Sequence, residues 1–116
     1  MKKILLALLL IASQAAFAAS YEITSISATP TLQYVGGNAS NGLTLQVTVG
    51  TADTCLVEFS ATPNANLGGG NWQPVNTLNL ITANATQNLP SGVNSVRLSR
   101  TAGANTCILD IGGVGQ

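Results

Sequence analysis

Apolar and polar residues alternate along most of the chain. Leu43, Leu45, Val47 and Val49 are separated by Thr44, Gln46 and Thr48. This period of two, rich in β-branched residues, predicts a strand with one buried face. The same period recurs at Cys55, Val57 and Phe59, at Cys107, Leu109 and Ile111, at Val96 and Leu98, and at Leu78 and Leu80. Weaker strands are predicted over Tyr21–Ala28 and Thr31–Val35. Between Ile23 and Ile26 the phase slips by one residue, which predicts a bulge. Thr29-Pro30, Gly36-Gly37-Asn38, Asn41-Gly42, Gly68-Gly69-Gly70 and Pro90-Ser91-Gly92 fall between these runs, where turns require a positive or fixed φ. After Ala19 no segment sustains the helical spacing, so little or no helix is expected. The pattern predicts an all-β domain: an immunoglobulin-like sandwich of about seven to eight antiparallel strands, with a small closed barrel as the competing architecture.

Residues 61–71 form the longest segment without periodicity, and long loops are often functional or mobile. Two other segments echo each other. Ala52-Asp53-Thr54-Cys55-Leu56-Val57-Glu58-Phe59 matches Ala104-Asn105-Thr106-Cys107-Ile108-Leu109-Asp110-Ile111, with three positions identical and five similar. Each follows an alternating run and a short polar loop, so each half is expected to hold a hairpin whose second strand starts at the cysteine. A duplicated half-domain of roughly 50 residues and chance convergence of two strand starts both account for the echo.

The N-terminus has a different character. Lys2 and Lys3 precede an apolar run from Ile4 to Ala12, and Ala16-Phe17-Ala18 offers small residues at the two positions a signal peptidase reads. Residues 1–18 are therefore read as a bacterial secretory signal cut after Ala18, leaving one domain over residues 19–116. The run is too short to span a bilayer, which takes ~20 apolar residues. The location implied is the periplasm or the outside of a bacterium.

Charge narrows the function. Of 116 residues 7% are charged and none is histidine. Both lysines belong to the leader, so residues 19–116 keep Arg97 and Arg100 against Glu22, Asp53, Glu58 and Asp110, a net charge of −2. Eleven asparagines and thirteen threonines carry most of the solvation. Nucleic acid is not an expected partner, because the counter-charge for phosphate is missing. With no histidine and no lysine beyond the leader, the serines have no base to activate them. Glu58 and Asp110 occupy matching points of the echoed strands, but alternation turns both outward, away from a paired acid–base role. Gly68-Gly69-Gly70 lacks the following Lys-Ser or Lys-Thr of a phosphate loop. Asp53 and Asn105 have no calcium-loop pattern around them. The chain is read as non-catalytic, with no cofactor and no metal.

Cys55 and Cys107 are the only cysteines. In an exported chain an even count predicts a disulfide, and both residues are in phase with the apolar set of their strands. Trp72, with Asn71 and Gln73 beside it, has two readings: a core plug at a strand start, or a ring that stacks on a sugar whose hydroxyls the amides recognise. Asn38-Ala39-Ser40 and Asn84-Ala85-Thr86 fit the glycosylation pattern, although a bacterial signal argues against its use.

In composition the region beyond the leader resembles small exported pilin or surface-layer domains: rich in Thr, Asn, Gly and Ala, with one cysteine pair. By analogy with chaperone-assembled pilins, Tyr21–Ala28 would complete a neighbour's sheet. The chain departs from them in its Gly112-Gly113-Val114-Gly115-Gln116 end, which lacks alternating aromatics, and in the late position of its cysteines. The leading expectation is an exported structural or surface-assembly subunit that works through protein–protein contact or self-association. The alternatives are a carbohydrate-binding module using Trp72, Asn71 and Gln73, and a small periplasmic hydrolase inhibitor presenting residues 61–71.

Overall fold

The alternating segments are strands, and their apolar sets meet between two sheets. The structure is a computed structural model describing residues 19–36, 42–63, 65, 66 and 68–114. The leader predicted at residues 1–18 lies outside them, as do residues 37–41 of two predicted turns. Eight strands run through the described residues: β1 (Ala19–Ser25), β2 (Thr31–Tyr34), β3 (Leu43–Val49), β4 (Thr54–Ser60), β5 (Gln73–Pro74), β6 (Ala85–Leu89), β7 (Ser95–Ala102) and β8 (Cys107–Val114). They form two four-stranded antiparallel sheets, sheet A in the order β1-β8-β3-β6 and sheet B in the order β2-β7-β4-β5. Of the two architectures expected, the sandwich is present, and neither sheet closes into a barrel.

The strand order has a simple logic. β1 pairs with β8, β2 with β7, β3 with β6 and β4 with β5. This is one long antiparallel hairpin, with its tip between β4 and β5, rolled up so that β3 also meets β8 and β4 also meets β7. Such a rolled hairpin is a jelly roll. Advancing every strand by four positions turns the order of sheet A into that of sheet B read backwards, so β1–β4 and β5–β8 are topologically equivalent halves.

The core lies between the sheets. Leu43, Leu45, Val47, Leu109 and Ile111 come from sheet A, and Val57, Val96 and Leu98 from sheet B. Burying each such side chain is worth about 1.5–3 kcal/mol. Cys55 of β4 and Cys107 of β8 are joined by a disulfide with their Cα atoms 5.9 Å apart, tying one sheet to the other. The expected pairing and the expected inward direction are both present, since neither cysteine is exposed.

Three local expectations are corrected. The run around Leu78 and Leu80 is no strand: Asn76–Leu78 is a single 3₁₀ turn. Here the chain crosses from β5 in sheet B to β6 in sheet A, driving Leu78 into the core and leaving Leu80 at φ 55° and 55% exposed. The strand that follows, β6, is a polar edge whose alternation of Ala85, Gln87 and Leu89 is too weak to stand out. There is no bulge between Ile23 and Ile26: β1 ends at Ser25, which faces inward, and Ile26 projects beyond it. The register shifts lie at Ala19/Tyr21 and Thr54/Cys55. The two cysteine-led strands do not close hairpins either, since each of the connections β3–β4 and β7–β8 passes from one sheet to the other.

Those two crossings are the echoed segments, and they pack on each other. Gly50 N–H donates to Thr106 O at 2.9 Å, Asn105 N–H to Asp53 Oδ1 at 3.0 Å, and Asn105 Nδ2 to Thr51 O at 2.7 Å. Asp53 is buried, and its Oδ2 has no hydrogen-bond partner. Asn105 thus satisfies Asp53 Oδ1 but not Oδ2, and among the described residues no group of three or more His, Cys, Asp or Glu is placed to hold a metal.

Candidate functional site

Trp72 follows the loop at the hairpin tip and precedes β5. Its indole N–H donates to the carbonyls of Asn66 and Gly69, each at 2.9 Å. Thr62 Oγ1 accepts from Asn71 N–H at 3.1 Å, and Ser60 Oγ accepts from Thr62 N–H at 3.1 Å. The described part of the loop is thus tied down by its own polar groups. The Arg97 guanidinium lies over the Trp72 ring, 4.4 Å from its centroid, and Arg97 Nε bonds Glu58 Oε1 at 2.8 Å. Asn71 and Gln73 are exposed and joined by a 3.2 Å hydrogen bond from Gln73 Nε2 to Asn71 Oδ1. The three residues predicted to contact a ligand are therefore together, but the Trp72 N–H is spent and a cation covers its ring.

Glu58 and Asp110 both face outward as expected. They lie on opposite outer faces of the sandwich, Glu58 on sheet B and Asp110 on sheet A. The register partner of Asp110 is Glu22 of β1. The hydrogen bond between these two carboxyls, and then the charge of Asp110, raise Glu22 above its ordinary value of 4.5. The sequence gives no sign of this pairing, which depends on the first strand lying beside the last.

The edges of the sheets form the second feature. Sheet A is bounded by β1 and β6, sheet B by β2 and β5. β5 is two residues long and contains Pro74, which cannot donate to a ladder. Neither β1 nor β6 carries a proline or a lysine, and their one charge, Glu22, has its carboxyl hydrogen-bonded to Asp110 of β8 and so turned from the open edge. Of the large apolar side chains left exposed, Tyr21 on β1, Ile26 after it and Tyr34 on β2 all belong to the flank formed by β1 and β2. Nothing in the pattern of single residues marks this clustering, because an edge is defined by strand order.

The third feature is a shallow dish of about 440 Å³ on the outer face of sheet A, lined chiefly by Ser20, Glu22, Thr44, Gln46, Asp110 and Gly112. Among the described residues no helix is long and apolar enough to cross a membrane.

No family model matches the chain, and no curated protein matches it. Several solved structures share its general shape at low identity. A Bacillus endospore appendage pilus protein is 18% identical over 84% of this chain and 86% of its own, with a TM-score of 0.41. The SPBc2 prophage-derived protein YomS is 12% identical over 84% and 95%, with a TM-score of 0.48. Hydroxypropylphosphonic acid epoxidase from S. wedmorenis is 8% identical over 86% of this chain, which spans 45% of the epoxidase, with a TM-score of 0.48. Likenesses of this size carry no argument about function.

Proposed function

We propose that this chain is an exported, non-catalytic subunit of a surface assembly, and that copies join edge to edge through sheet A. The observation that carries the reading is the pair of unguarded edges on one sheet. Natural sheets blunt their edges with proline, lysine, inward charge or very short strands. Sheet B is blunted at β5, whereas sheet A is open at both β1 and β6.

The direction of the strands makes the two edges complementary. Four strands that alternate in direction leave β1 and β6 antiparallel to each other. A second copy displaced along the sheet by four strand spacings, about 19 Å, sets its β1 antiparallel to the first copy's β6. The contact is heterologous, so it propagates and does not close. A weakly charged surface of Thr and Asn offers little repulsion to such packing. The non-catalytic part of the reading rests on the side-chain inventory, above all the lack of histidine. Export rests on the leader-like residues 1–18 together with the disulfide, and N-terminal sequencing of the protein from the cell envelope or medium tests it.

A pair of guard substitutions tests the assembly. Thr24→Lys places a charge on β1 and Thr86→Lys places one on β6, both at exposed positions. Analytical ultracentrifugation of the protein without residues 1–18 should show concentration-dependent association that each substitution caps. A mixture of the two variants should form dimers, because each supplies the edge the other has lost. A wild-type protein that stays monomeric at its highest soluble concentration would refute the reading. Dimers of the Thr86→Lys variant alone would show a β1–β1 contact instead.

A further inference from the structure

The dish on the outer face of sheet A exists because β8 has no side chain where one is expected. Gly112 occupies an outward position opposite Thr44 of β3, and Gly113, at φ 84°, accompanies the register shift that lets β1 slip relative to β8. The dish, of about 440 Å³, is open to solvent on its outer side. Its rim is chemically mixed. Glu22 and Asp110 supply carboxylate acceptors, Ser20 and Thr44 hydroxyls, and Gln46 an amide. Ser20, Thr44 and Gln46 are exposed, so their polar groups face solvent over the dish. Among the described residues the ion pair, Arg97 with Glu58, lies on the other sheet, and neither carboxyl at the dish is bridged to a cation.

We propose that this dish is a saccharide-binding site, with a sugar ring lying over Gly112 and its hydroxyls shared between the carboxylates on one side and the Thr44, Ser20 and Gln46 groups on the other. A sugar hydroxyl donates and accepts at once, so adjacent hydroxyls can use both kinds of rim group. A hard cation needs roughly six or more oxygens, and the dish offers it two carboxyls on an open face; among the described residues no three His, Cys, Asp or Glu side chains are grouped to hold a metal. The paired carboxyls of Glu22 and Asp110 still present oxygens that do not face each other, and these can accept from sugar hydroxyls, which places the selectivity there. The missing Cβ at 112 lets the ring approach the sheet. The site is separate from Trp72, whose N–H and ring are already engaged, and it lies on the face of sheet A, leaving the β1 and β6 edges free.

The test is an NMR titration of the protein without residues 1–18, using glucose, galactose, mannose and N-acetylglucosamine as probes, with argininamide and calcium chloride as cationic controls. The expected result is millimolar binding of at least one sugar, with amide shifts confined to residues 20–22, 44–46 and 110–112. Gly112→Val should weaken that binding at least tenfold while leaving the melting temperature nearly unchanged. A Cβ at 112 meets nothing nearer than Thr44 O at 3.9 Å, so the fold accepts it while the dish fills. Gln46→Ala should also weaken binding. The proposal is overturned if none of the sugars shifts these amides, if the shifts map to Trp72, if only the cationic controls act there, or if Gly112→Val binds sugar as well as the wild type.

Discussion

Replacing both cysteines by alanine should bring the domain to the margin of stability. The disulfide closes a sequence separation of 52 residues. The chain-entropy relation gives about 4 kcal/mol at 25 °C for a loop of that length. Neither cysteine is exposed to any extent, so removing the two sulfurs also leaves core space that the sheets fill only partly, at about 1 kcal/mol per site. The total of about 6 kcal/mol compares with ~5–15 kcal/mol for the net stability of an ordinary domain. A domain near 100 residues loses roughly 4–8 °C for each kcal/mol, so the entropic part alone should lower the melting temperature by about 15–30 °C. Urea titration followed by Trp72 fluorescence and far-UV circular dichroism measures the difference directly. Burial adds a kinetic test: dithiothreitol should cleave the bond only as fast as the sandwich opens. A loss below about 1 kcal/mol for the double variant, or rapid reduction of the native protein, would refute the account of a buried clamp between sheets.

Three further outcomes are expected. Because the folded Glu22 carboxyl sits above its ordinary value of 4.5, its contribution is fully present below that value and is lost as pH rises through the raised one. Acidification from neutral pH should therefore slow hydrogen exchange in β1, after correction for intrinsic rates, and Glu22→Gln should flatten the response; faster exchange in acid would contradict it. Gly103→Ala should destabilise by about 1–3 kcal/mol in urea, because φ is 102° and the new Cβ would fall 1.9 Å from Asp53 Oδ1. Arg97→Ala should cost about 1–2 kcal/mol and shift Trp72 emission, since the guanidinium is shared between Glu58 and the indole; unchanged emission would exclude the stacked geometry.

What was legible in the sequence followed from short-range patterning. The period of two around Leu45, Val57, Leu98 and Leu109 locates four central strands and their buried faces, because side-chain direction alternates whatever the partner. Compartment chemistry and burial together pair Cys55 with Cys107. At Leu78 and Leu80 the same pattern means something else: two apolar residues in strand phase are a turn there, since a crossing between sheets needs one residue down in the core and tolerates the next outside. The edges, the meeting of Glu22 with Asp110 and the dish above Gly112 depend on which strands are neighbours, and β1 and β8 lie at opposite ends of the described chain. Trp72 was half legible. Its place at a strand start follows from the loop before it, but the Arg97 that covers its ring arrives from β7.

Nested pairing also dictates an order of events for a chain fed out N-terminus first. The opening strand waits the longest for its mate, which is the closing one, while the innermost turn between β4 and β5 can zip as soon as it emerges. Each later pair closes over a segment already drawn together, at a modest added entropy. The sulfur link between positions 55 and 107 must wait for the final strand too. During that wait β1 offers an unpaired ladder on both of its sides, so the same backbone that finishes the fold is also the one most available to a neighbour or a holding factor.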